Sequence, residues 1–172
     1  MKNNALAVAN YFIKLAAVDK RPLHLLGLIK RVYIAHGFSL ALNDVPLLDS
    51  RFDKVEAWKY GPVIPSVYHS FKQYKAAPIT DPTIVMEWND DTKEMEFVTP
   101  KLEDEKAKQA VDIVWQRYQL FSDSDMVSLT HKKGTPWDVC YVSGKNMAIP
   151  DEVTTAYYKL LIENILNDGK KQ

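Results

Sequence analysis

Apolar side chains recur at helical spacing along most of the chain. Ala5, Val8, Ala9, Phe12, Ile13 and Ala16 form a first stripe behind Asn3 or Asn4, either of which can cap a helix, and the pattern ends near Val18. A second stripe of Leu25, Leu28, Ile29, Val32, Tyr33, His36 and Leu40 follows Pro22, with Lys30 and Arg31 falling on the side expected to face water. The two helices are expected to pair antiparallel. Asn43 and Asp44 signal a turn, after which residues 45–48 and 52–56 read as short extended pieces. Pro62 suits the first turn of a third helix through Val67, Tyr68, Phe71 and Tyr74.

The period then changes. Residues 83–88 and 95–99 carry β-branched and aromatic residues on either side of the polar loop 89–93, which predicts a β-hairpin. An isolated hairpin is marginal in water, so it should lie against the helices or add to the short strands before Glu56. Helical spacing resumes from 103 to 118, with Ala107, Ala110, Val111, Val114, Trp115 and Tyr118 inward and Lys106, Lys108 and Asp112 outward. Ser122 or Asp123 caps a shorter helix through Leu129, one helical turn is expected around residues 137–141, and a last helix starts behind Pro150 and fades at residues 167–169. The pattern predicts a mainly α protein. Residues 1–169 read as a single helical domain of six to seven helices with a small β-hairpin or short antiparallel sheet, and residues 170–172 as a frayed tail.

Composition narrows the function classes. At 172 residues the chain is long enough to bury a core without staples. Lys plus Arg and Asp plus Glu both number 22, which removes the global basic footprint of a nucleic-acid or membrane-surface binder. The one cysteine, Cys140, permits no internal disulfide and no cysteine-rich zinc site, and reads as a small packed residue. The N-terminus lacks the features of a signal peptide, and no apolar run reads as a membrane span. A cytoplasmic protein is the expectation.

The chain carries no H-E-x-x-H, no Gly-rich phosphate loop and no G-x-S-x-G. His24, His36, His69 and His131 are scattered, and His36 falls on the apolar stripe of the second helix, where a hydrogen-bonded core histidine is expected. Glu103, Asp104, Glu105, Asp123 and Asp125 sit where the helix dipole favours acidic residues. No catalytic residues, metal ligands or cofactor are assigned.

What stands out instead is Glu56-Ala57-Trp58-Lys59-Tyr60-Gly61-Pro62-Val63-Ile64-Pro65, which sets large aromatics around a Gly-Pro turn. Such a stretch builds a rigid aromatic corner of the kind that serves as a binding hot spot, although Trp58 and Tyr60 could equally plug a gap between helices. A second positive and aromatic stretch, residues 130–137, joins His131, Gly134 and Trp137 in a solvated loop or a further contact surface.

With these residues in view, the chain resembles the Panacea domain family, the SocA-like antitoxins, also described as GepA-like phage-associated proteins. The likeness begins at Ala7-Val8-Ala9-Asn10-Tyr11-Phe12, continues through residues 28–41 and the Pro46-Leu47-Leu48 step, and is most specific over residues 56–68. Val114-Trp115-x-x-Tyr118 and Leu129-Thr130-His131-x-x-Gly134-x-Pro136-Trp137 resemble a second block, with departures at Gln119, at Met126 and Val127, and at Thr135. The resemblance implies a non-enzymatic antitoxin that binds and neutralises a neighbouring protein toxin. It also implies, for part of the family, delivery to an ATP-dependent protease. The expected partner-binding residues are Trp58, Lys59, Tyr60, Gly61, Pro62, Val63, Tyr68, His69, His131 and Trp137, with Lys59 and Tyr60 favoured as contacts and the Trp58 indole expected to be largely buried. Two other readings are a DNA-binding autoregulatory module built on the helices around residues 122–141, which the neutral charge disfavours, and a metal-dependent hydrolase using His36, His69 and His131.

Overall fold

The computed structural model describes residues 4–169. Seven α-helices dominate them: α1 (Ala5–Val18), α2 (Leu25–Asn43), α3 (Pro65–Phe71), α4 (Glu105–Tyr118), α5 (Asp123–Thr130), α6 (Pro136–Cys140) and α7 (Asp151–Gly169). The protein is mainly α, as its periodicity predicts. Asn4 caps α1 by accepting the Ala7 N–H, Asp104 does the same for Ala107 at α4, and Ser122 with Asp125 forms a reciprocal capping box at α5. Of the alternative caps, Asn3 lies outside the described residues.

Helix α2 is the axis of the molecule. It packs against α1, α3, α4, α5 and α7, and fifteen of its nineteen residues are buried. Solvent reaches α2 only near its ends, at Leu26 and from Ala41 to Asn43, which corrects the expectation that Lys30 and Arg31 lie in water: they are 1% and 3% exposed. It is also long and apolar enough to cross a membrane by length and composition, yet 83% of that window is buried inside the protein, as a core helix requires. Gly37 permits the close approach of α7, since a Cβ there would overlap the Tyr158 ring, which packs against Tyr33 and Phe38 at 5.9 and 5.8 Å.

Arg31 spans the junction of α4 and α5. Its Nη2 donates to the carbonyls of Tyr118 at 2.8 Å and Phe121 at 2.9 Å, and its guanidinium stacks near the Trp115 ring. Burial works against its charge and Asp123 opposes that effect.

The short strands β1 (Glu56–Trp58), β2 (Gly61–Val63) and β5 (Met147–Ala148) form an antiparallel sheet in the order β2-β1-β5. Residues 45–48 and 52–55 form no strand, correcting the extended pieces expected there, of which only Glu56 enters one; Asp49 accepts from the backbone and guanidinium of Arg51 in the intervening turn. Pro62 lies in β2 and Pro65 takes the first position of α3, a second correction. An edge strand tolerates Pro62 because no neighbour needs its missing N–H. Asp53, 5% exposed, ties this region to the bundle by accepting the Ala5 N–H and the Ser66 hydroxyl.

The predicted hairpin is present as β3 (Val85–Asn89) and β4 (Glu94–Val98), paired from Val85↔Val98 to Asn89↔Glu94. It does not join the other strands. Its root is fastened to α1 by Asn10, whose amide donates to the Thr83 and Pro100 carbonyls at 3.2 and 3.0 Å and accepts the Thr83 N–H at 2.9 Å. Helix α7 runs on to Gly169, through the residues at which the sequence pattern fades.

Candidate functional site

The corner is built from β1, β2 and the two residues that join them. Trp58 pairs with Gly61, so Lys59 and Tyr60 form the tip, and Gly61 has φ +104°, a value that L side chains rarely adopt. Side chains from three other elements reach four main-chain carbonyl oxygens around this tip. Trp137 Nε1 of α6 donates to the Trp58 carbonyl at 2.7 Å. His131, the residue that ends α5, places Nε2 3.0 Å from the Lys59 carbonyl. Lys30 Nζ of α2 donates to the carbonyls of Tyr60 at 3.0 Å and Pro62 at 2.8 Å. The main chain is thereby fixed from the protein side, and the tip's side chains project the other way.

Exposure divides the expected partner-binding residues. Lys59 and His69 are exposed and Tyr60 is 64% exposed, with Lys59 Nζ 5.3 Å from the Tyr60 ring centroid. Trp58, Tyr68 and His131 are half-buried. Gly61, Pro62, Val63 and Trp137 are buried and act as scaffold. The rings are linked: Trp58 meets Tyr68 edge to face at 5.2 Å, Tyr68 meets His69 at 5.3 Å, and His131, Trp137 and Tyr141 stack in sequence at 3.8 and 4.7 Å. The Trp58 indole N–H is satisfied by Glu56 at 2.7 Å. Trp58 is therefore partly plug and partly surface, while Tyr60 is wholly surface.

Lys30 is the participant that the sequence pattern conceals. Burial pulls its ammonium down to about 7 from an ordinary 10.5. A lysine beside an apolar stripe is normally solvated; the signal that could have found it is that the residues around it leave no polar side on α2. Tyr141, which completes the aromatic stack, was also missed.

His36 and Asp151 hold the start of α7 to α2. His36 is 1% exposed; its Nδ1 accepts the Leu47 N–H at 3.2 Å, which leaves Nε2 to carry the proton and donate to Asp151 at 2.9 Å. That bond holds the Asp151 carboxyl below its usual range, against the effect of partial burial. Burial raises the Cys140 thiol. Among the described residues, no three His, Cys, Asp or Glu side chains gather into a group able to hold a metal. His36 is committed to Leu47 and Asp151, and His131 to the corner.

Comparison with known proteins identifies the family of the chain. Antitoxin SocA of Caulobacter vibrioides (strain NA1000 / CB15N) is 32% identical over 136 residues, covering 79% of this chain and 69% of its own. No solved structure matches. The family described as antitoxin SocA-like, Panacea domain, matches residues 28–138, a span that takes in Lys30, the Trp58–Val63 corner, His131 and Trp137. The chain belongs to that antitoxin family.

Proposed function

We propose that the protein is an antitoxin that neutralises a cognate cytoplasmic protein toxin by direct contact, and that the tip formed by Lys59 and Tyr60 is part of the contact surface. The observation that carries the site is the contrast at this corner: a main chain held by Lys30, His131 and Trp137 presents a 64% exposed tyrosine beside an exposed lysine. A rigid aromatic anchor loses little conformational entropy on binding, which is the usual character of a hot spot. Membership of the antitoxin family supports the role. The protein acts by occupancy, without catalysis. The same reading extends to delivery of the bound toxin to an ATP-dependent protease, which neutralisation assays with and without that protease separate from simple masking.

The test is co-expression with the product of the adjacent open reading frame. That product should arrest growth alone and be silenced by this chain, and the two should co-purify. A neighbour that is harmless alone, or that stays toxic in the presence of the chain, would sink the proposal.

A further inference from the structure

The hairpin turns its apolar face outward. Met86 pairs with Phe97 and Trp88 with Met95, so these four side chains stand on one face, and Ile84, just before β3, is exposed beside them. They are 54%, 80%, 55%, 51% and 59% exposed. The opposite face, with Val85, Glu87, Glu96 and Val98, is the half-buried one. An amphipathic hairpin serving only its own fold would be oriented the other way, and a contiguous apolar patch of this kind on a protein surface marks an interaction site. The patch is also held in place. Asn10 clamps both ends of the hairpin through Thr83 and Pro100, and the Trp88 indole is tethered to Asp90 at 3.1 Å.

Charge indicates what covers it. Residues 84–98 contain Glu87, Asp90, Asp91, Glu94 and Glu96 against the single cation Lys93, although the chain as a whole is neutral. None of these carboxylates is in an ion pair among the described residues; Glu87 and Glu96 belong to the half-buried face, so the acidic rim of the outer patch is the exposed group Asp90, Asp91 and Glu94 at the turn end of the hairpin. Stacking two copies face to face would set one acidic rim against another. An anionic membrane would be repelled in the same way. A folded protein with an apolar patch framed by Lys and Arg meets both requirements: it buries the aromatics and neutralises the rim.

We infer that the outer face of the β3–β4 hairpin, centred on Trp88 and Phe97, is a docking surface for a basic-rimmed apolar patch on the protein toxin, an inference that rests on the antitoxin reading above. Two variants test it, with the purified product of the adjacent open reading frame as probe. Trp88→Ser combined with Phe97→Ser should raise the Kd by roughly 30-fold or more. Asp90→Lys, Asp91→Lys and Glu94→Lys together should slow association at low salt, with the difference from wild type closing as salt rises. The altered residues are exposed, so thermal melting should show both variants folded, and the charge variant, which keeps all four apolar side chains of the patch, is a second, independent readout. Wild-type neutralisation with both variants binding within twofold of wild type would overturn the hairpin inference alone. Self-association of the wild type that disappears in Trp88→Ser/Phe97→Ser would overturn it in favour of a second copy. Failure of the wild type to neutralise would instead overturn the antitoxin reading and this inference with it.

Discussion

Trp137 Nε1 donates to the main-chain oxygen of Trp58 across 2.7 Å, joining two tryptophans 79 positions apart in sequence. The bond connects the two stretches of the chain that stand out for aromatic and turn residues, and makes the second a support for the first. Trp137→Phe keeps an aromatic ring but removes the donor to the Trp58 carbonyl and, with the smaller phenyl, some of the buried packing. A loss of roughly 1–3 kcal/mol is expected in urea unfolding, and an unchanged midpoint would show that the bond contributes nothing.

Tyr60 and Gly61 are neighbours with opposite fates on substitution. Tyr60→Ala removes an exposed ring, so stability should stay within about 0.5 kcal/mol of wild type while toxin affinity falls by roughly 2 kcal/mol or more. Gly61→Ala puts a Cβ at φ +104° and 2.9 Å from Lys30 Nζ, and should cost on the order of 1–3 kcal/mol of stability. Thermal denaturation paired with a binding titration separates the two; a Tyr60→Ala variant that melts early would place the ring in the fold instead.

Lys30 should give the stability curve an alkaline slope. Because burial lowers its folded-state value to about 7 from 10.5, the unfolded chain binds a proton between those limits that the folded chain does not. Stability from this group therefore rises with pH across that window and levels off below about 7. Urea midpoints measured at pH 7 and 9 should increase in the wild type. Lys30→Met, although destabilised by the loss of its two carbonyl bonds, should lose that increment; an equal rise in the variant would assign the slope to other groups.

Asp151 acts at the other end of the scale. Its carboxyl is depressed chiefly by the hydrogen bond from His36, so the stability it contributes is present above its unfolded value and is lost as pH falls through the folded one. The side chain is 43% exposed, and solvent screening keeps the effect small. Asp151→Asn should flatten part of the acid limb of the stability curve, and a superimposable limb would remove Asp151 as its source.

Asn10 controls the hairpin root. Asn10→Ala strips partners from the Thr83 N–H and from the Thr83 and Pro100 carbonyls, and a loss of about 2 kcal/mol is expected. Amide exchange over residues 85–98 should accelerate more than exchange in α2. Equal acceleration everywhere would indicate global destabilisation with no special hold on the hairpin.

The sequence by itself determined the mainly helical fold, the hairpin and its loop, and the caps at α1 and α5, because hydrophobic period, turn residues and capping side chains act over a few neighbouring positions. It also marked the corner as unusual. The tertiary structure decided which of its residues are surface. Lys30 looks like a solvated lysine in a helical pattern, and only the packing of α2 against five other helices and β2 encloses it and directs it to the Tyr60 and Pro62 carbonyls. Pro62 and Pro65 are equally good helix starters in sequence, and the choice between them follows from the pairing of β1 with β2. For the hairpin, period 2 alternation defines two faces without saying which one is buried. The Asn10 clamp, formed between residues 73 and 90 positions apart, holds the root of the hairpin that leaves Met86, Trp88, Met95 and Phe97 in solvent. Local pattern fixes elements; long-range hydrogen bonds and enclosure fix their orientation, and with it the surfaces left for a partner.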